Sequence, residues 1–225
     1  MSAHGNGFTE ATFTFLSELA EKNDSAWFAE NRDTYDRSVD EPFVHLLEEV
    51  TGRLAGTAAP LRGGAATTFR MNRDVRFSKD KSPYSTSRSG LLTPGGTKAE
   101  SAGLVYVQLS ADGGLLAGGL YKPPTPALDP IRQHMLEEPE QFAQVVEELR
   151  AAGHELDTSD AVKTMPRGYA EHAEHPMAPY LRLKQLVVMQ SLPKAAWLDD
   201  TVADRVTTFA TDVAPLLAYV RTTVR

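Results

Sequence analysis

The period of apolar residues along the chain changes twice, dividing it into helices, then strands, then helices. Phe13, Leu16, Leu19 and Ala20 recur at helical spacing, with Thr9 placed to cap the start and Asn23 near the stop. Asp24 or Ser25 caps a second helix, on which Trp27, Asn31 and Tyr35 stand four apart and so share one face. Two core aromatics with an amide bonded to nearby backbone account for that face. Asp40, Glu41 and Pro42 open a third helix, in which Phe43, Leu46, Leu47, Val50 and Leu54 form an apolar stripe ending at Gly56.

Beyond a Gly/Ala/Pro loop the period falls to two. Phe69, Met71, Val75 and Phe77 alternate with Arg70, Asn72, Asp74 and Arg76, which predicts a half-buried strand interrupted by Arg73. A loop is expected from Ser82 to Ala102. GLVYVQLS and LLAGGLY then flank Asp112-Gly113-Gly114, the pattern of an antiparallel hairpin. Gly118 and Gly119 inside the second arm predict a bulge or a close approach to the backbone. They are not a dinucleotide fingerprint, because no helix follows them.

Asp129-Pro130 and Glu138-Pro139 each start a helix, the second carrying Phe142, Val145, Val146 and Leu149 up to Gly153. The stretch from Tyr180 to Ser191 leans to strand on LVVMQ. Val202, Val206, Phe209, Val213, Leu216 and Val220 trace one face of a long helix kinked at Pro215. With no repeat or linker, the chain reads as a single domain over residues 1–225. Its expected class is α+β: N-terminal helices, a central antiparallel sheet containing the hairpin, and C-terminal helices packed on the sheet.

Composition changes this picture in two respects. Hydrophobic residues at 41% and charged residues at 24% are those of a globular chain, so disorder is excluded. The absence of cysteine excludes disulfides, thiolate nucleophiles and cysteine metal sites. The opening MSAHGNGFTE lacks a basic flank and an apolar core, and no run suits a spanning helix, so a cytoplasmic protein with no membrane partner is expected.

The net charge of −7 argues against indiscriminate nucleic-acid binding, yet the charge is unevenly placed. Between Arg70 and Arg88 six basic residues face two acids, so this span contributes +4 and the remainder carries −11. On a strand Arg73 falls on the apolar side, where a guanidinium requires a carboxylate, carbonyls or an anionic ligand. Pro83 stiffens the segment by holding Ser82 extended. The candidate ligand-binding residues are therefore Arg70, Arg73, Asp74, Arg76, Lys79, Asp80, Lys81 and Tyr84. Lys122 of YKPP, which feeds a helix bearing Arg132, and Lys163 and Arg167 in a polar loop with Tyr169 join them if the sheet brings these segments together. His172 and His175 in EHAEH do not have the HExxH spacing, and no metal or cofactor is expected.

The run WF, N and Y in the second helix, the string RDVRFSKDKSPY, then GGLYKP and KTMPRGY followed by HP, resemble the family known as domain of unknown function 2461. The resemblance runs from about Phe13 to Lys184. It implies a compact α+β protein, widespread in bacteria and fungi, and brings no activity and no catalytic residue. After Tyr84 this chain has STSRSG where the family pattern is glycine-rich.

The residues leave three readings open. A basic, aromatic-lined cleft binds a small phosphate- or carboxylate-bearing ligand, with Asp74 or Asp80 as the local candidates for a general base. Alternatively the patch binds nucleic acid, with Tyr84 or Phe77 stacking on bases. In the third reading the motif is a structural ion network, and function lies on a protein-partner surface elsewhere. No reaction is assigned.

Overall fold

The computed structural model describes residues 7–199 and 201–224. The first six residues, part of the opening read for a leader, lie outside the described residues. No helix among the described residues is long and apolar enough to cross a membrane.

Helix α1 (Glu10–Glu21) buries Phe13, Phe15, Leu16 and Leu19. At its start the Thr12 hydroxyl accepts the Thr9 N–H at 3.1 Å and donates to the Ser38 carbonyl at 2.7 Å, tying the helix to the turn that precedes the fourth helix. Asp24 caps α2 (Ser25–Glu30), accepting the N–H groups of Ala26 and Trp27 at 2.9 Å each. Asn31 donates its amide to the Trp27 carbonyl at 2.9 Å, as expected of an amide between core aromatics. The chain continues through α3 (Arg32–Tyr35) and a five-residue π-helical turn (Asp36–Asp40) into α4 (Glu41–Leu54). Phe43, Leu46, Leu47, Val50 and Leu54 are all buried there, as their spacing predicts.

The centre of the molecule is a four-stranded antiparallel sheet in the order β1-β2-β3-β4. Strands β2 (Leu104–Ser110) and β3 (Gly113–Leu120) are the expected hairpin, and β4 (Leu186–Pro193) is the LVVMQ segment. Strand β1 (Ser87–Leu92) lies inside the stretch expected to be loop. Both edges of the sheet are covered by single bridges: Arg62 to Thr93 and Thr68 to Gly90 beside β1, and Leu156 to Val188 beside β4.

The segment from Phe69 to Phe77 is not a strand, which corrects the sequence expectation. Asp74 and Asp80 accept the N–H groups of Arg76 and Ser82, two residues ahead, and such turns pull the backbone out of a ladder. Phe77, expected on a buried face, is 95% exposed.

Between β3 and β4 lie α5 (Asp129–Glu137), α6 (Pro139–Ala151) and a short α7 (Ala178–Leu181). After β4 come α8 (Lys194–Leu198), α9 (Val202–Asp212) and α10 (Ala214–Thr223). The expected long C-terminal helix is thus two helices, broken at Val213 with Pro215 in the first turn of α10.

Helices α4, α8, α9 and α10 pack on one face of the sheet. They come close at Gly118, where an added Cβ would stand 2.8 Å from Val213 Cγ2 and 3.3 Å from Phe209 Cε1. Neighbouring Gly119 has φ +131°, and a Cβ there would lie 2.0 Å from the Leu186 carbonyl oxygen. The two glycines mark close approach, and the register through them is continuous, without a bulge. On the opposite face Tyr106 and Ala117 are half-buried and Met189 is exposed.

Candidate functional site

The RDVRFSKDKSPY segment is a closed loop. An Asn72 to Tyr84 bridge forms its neck, with the Arg73 N–H donating to the Pro83 carbonyl at 2.8 Å and the Ser85 N–H to the Met71 carbonyl at 2.7 Å. Inside, Arg73 Nη1 reaches Asp80 Oδ2 at 2.5 Å and the Ser82 carbonyl at 3.1 Å. Asp80 is held well below the usual carboxylate range by the Ser82 hydroxyl and N–H first, then by Arg73. Arg76 grips Asp74 (Nη2 to Oδ2 2.6 Å), and Lys81 donates to the Val75 carbonyl at 3.0 Å. The neck is pinned from α2 and the turn before it: the Asn23 side chain accepts from the Tyr84 N–H and donates to its carbonyl, both at 3.0 Å, and Tyr84 stacks on Phe28 at 4.1 Å. Arg70, Lys79 and Phe77 project into solvent.

The buried guanidinium of this region is therefore Arg88, not Arg73, whose side chain is 32% exposed. Arg88 projects from β1 toward the helices, paired with Asp40, donating to the Phe69 carbonyl and lying 5.8 Å from the Phe43 ring centroid. Asp40 also accepts from the Tyr35 hydroxyl at 3.1 Å. Burial pushes the Tyr35 pKa far up.

A cavity of about 540 Å³ opens beyond the end of β3. Lys122, Arg132, Arg167 and Lys184 line it with one carboxylate, Asp160, and Leu128, Val162 and Met165 supply apolar wall. Arg132, from the first turn of α5, is set by the Leu181 and Leu183 carbonyls, which accept from it at 2.9 and 3.1 Å. Its guanidinium lies 5.7 Å from the Tyr169 ring centroid. Its acid partner is open to water and bonded at long range: Asp129 accepts from Nη1 at 3.4 Å, with its side chain 59% exposed against 7% for Arg132. Lys122 has φ 40°, the only positive φ outside glycine among the described residues, and strain of this kind clusters at binding sites. The Tyr121 side chain, then Asp160, raise the Lys122 pKa, so the ammonium stays charged.

The sequence candidates thus separate. Lys122, Arg132 and Arg167 share the cavity, whereas Lys163 is exposed beside it, with Val162 and Thr164 lining in its stead. No residue from Arg70 to Tyr84 lines this cavity or the hollow on the open face of the sheet, so the two basic segments do not form a common cleft. Lys184 and Asp160 escaped the sequence reading; a lysine ahead of an apolar strand carries no signal beyond its charge. Glu171, His172, Glu174 and His175 form no metal cluster among the described residues.

A second hollow of about 540 Å³ lies on the open face of the sheet. It is lined by Phe69, Leu104, Tyr106, Ala117, Tyr121 and Met189, among others. Phe69, Tyr121 and Met189 are, with Phe77, the large apolar side chains exposed among the described residues.

A family model described as "Conserved hypothetical protein (DUF2461)" matches residues 11–219. No curated protein and no solved structure matches the chain at a significant level.

Proposed function

The chain belongs to the DUF2461 family of conserved hypothetical proteins, whose description names no activity, and from the geometry we propose that it binds a small phosphate- or carboxylate-bearing ligand in the cavity beyond β3. One observation carries this reading: four cationic side chains face a single carboxylate around a pocket of ligand size, and one of them, Arg132, is buried with only the water-exposed Asp129, at 3.4 Å, as its acid. Taking a guanidinium out of water is unfavourable unless charge and hydrogen bonds compensate it, and an anion in the cavity supplies what Asp129 gives only weakly. Arg167 and Lys184 stand at the rim, suited to attracting an anion to a protein of net charge −7.

The test is thermal stabilisation by inorganic phosphate and small carboxylates. Arg167→Ala and Lys184→Ala should each weaken it, while Arg73→Ala should not. Stabilisation that is unchanged in the first two variants, or that vanishes with Arg73→Ala, removes the cavity as the site.

The RDVRFSKDKSPY loop is read as architecture, because Arg73 and Arg76 are each engaged by a carboxylate of the same loop and Tyr84 by Asn23 and Phe28. Nucleic-acid binding through this loop would have to rest on Lys79 and Phe77. Retention of single-stranded RNA at low salt that is lost in Phe77→Ser would restore that reading.

A further inference from the structure

The cationic cavity and the open-face hollow meet at one dipeptide, since Tyr121 lines the hollow and Lys122 the cavity. The sheet register explains the shape of the hollow. Across the open face one row runs Leu91, Tyr106, Ala117, Met189, and the next runs Leu104, Gly119, Val187. In both rows the smallest residue falls on β3, between larger side chains of β2 and β4. Ala117 and Gly119 therefore floor a trough along β3, which leads to Tyr121 and then to Lys122. From Ala117 to Leu120, where β3 ends one residue before Tyr121, the strand rises about 10 Å.

The polar groups beside the trough are already engaged. The Tyr106 hydroxyl donates to Gln108 Oε1 at 2.8 Å, Lys98 donates to the Thr68 carbonyl at 2.8 Å, and Glu100 accepts the Gly95 N–H at 2.9 Å. The trough thus offers apolar contact, with its two charges, Lys98 and Glu100, of opposite sign and each held by backbone, whereas the cavity offers an excess of positive charge. Exposed apolar residues scattered singly need no explanation, but three converging on one hollow do.

We propose that one ligand occupies both: an amphiphilic anion, with its phosphate or carboxylate head among Lys122, Arg132, Arg167 and Lys184 and an unbranched apolar body along β3. The inference rests on the reading of the cavity as an anion site. Lys122, with its left-handed backbone and its ammonium 5.0 Å from the Tyr121 ring centroid, is the corner at which head and body meet.

The experiment is calorimetric titration of the full chain with inorganic phosphate and then butyl, hexyl and octyl phosphate as monomers. Affinity should rise roughly three- to fourfold for each methylene buried in the trough. Ala117→Trp, which fills the trough, should flatten this rise; Met189→Ser, at an exposed position, should reduce it if the first variant does not fold. Arg167→Ala should weaken every member of the series by a similar factor.

Phosphate binding that is indifferent to chain length overturns this inference and leaves the anion site standing. Chain-length-dependent binding that Arg167→Ala does not change, without any binding of inorganic phosphate, overturns both. Binding to anionic vesicles but to none of the monomeric alkyl phosphates assigns the face to a membrane surface and overturns the inference as well.

Discussion

Replacing Asp40 with alanine removes the carboxylate that pairs Arg88 and leaves a guanidinium whose side chain is only 5% exposed facing Phe43 and a carbonyl. Breaking a buried pair from one side costs about 3–5 kcal/mol, because the remaining charge has neither water nor partner. Asp40 is 32% exposed, so water enters where its carboxylate stood, and the low end, about 3 kcal/mol, is expected. The Tyr35 hydroxyl loses its acceptor as well, adding about 1 kcal/mol at most.

For a chain of this size 1 kcal/mol shifts the melting temperature by about 2–4 °C, so Asp40→Ala should lower it by roughly 6–12 °C. The decisive measurement is a double-mutant cycle by urea unfolding, using Asp40→Ala, Arg88→Met and both together. Adding Arg88→Met to Asp40→Ala removes the stranded charge, so the double variant should be more stable than Asp40→Ala alone. A loss below about 1 kcal/mol in Asp40→Ala, or losses in the double variant equal to the sum of the singles, would refute the reasoning.

The Tyr219 hydroxyl is buried against Phe142 and His134 without a hydrogen-bond partner among the described residues, and burial drives its pKa upward. Tyr219→Phe should therefore be neutral or stabilising by up to about 1 kcal/mol in urea unfolding, and a clear loss would show that the hydroxyl has a partner. Asp74 and Asp80 have depressed pKa values, Asp74 through Arg76 first and Asp80 through Ser82 first. Their contribution to stability is present above the unfolded carboxylate value near pH 4 and is lost as pH falls through the lower folded values. The urea midpoint should thus fall more steeply below about pH 4 in the native protein than in Asp80→Asn, and parallel curves would contradict this.

Most helices and the hairpin follow from local chemistry. Asp24, Pro42, Pro130 and Pro139 sit at or within the first turn of helices that begin within a residue or two of where these signals place them. The structure departs from the sequence pattern where contacts distant in the chain, or side-chain turns, override alternation or its absence. Phe69 to Phe77 alternates, yet Asp74 and Asp80 turn the chain by side-chain hydrogen bonds that no period reveals. SRSGLL looks like loop, yet it becomes β1 because β2 supplies a register and Arg88 finds Asp40 some fifty residues earlier in the chain. Of the cavity residues, Lys122, Arg132 and Arg167 attract notice beside prolines and aromatics, whereas Lys184 does not. The trough was invisible for a different reason: Ala117 and Gly119 become its floor only through their neighbours on β2 and β4.

The bridges along the outer strands bear on how this protein meets others. Thr68 and Arg62 occupy hydrogen-bonding positions beside β1, and Leu156 does so beside β4, where the Asp157 N–H also donates to the Val187 carbonyl. A foreign backbone seeking to extend the ladder finds those positions taken, which discourages strand-by-strand stacking of copies into fibres. Association with the sheet is thereby favoured from its open face, where a partner reads side chains rather than backbone.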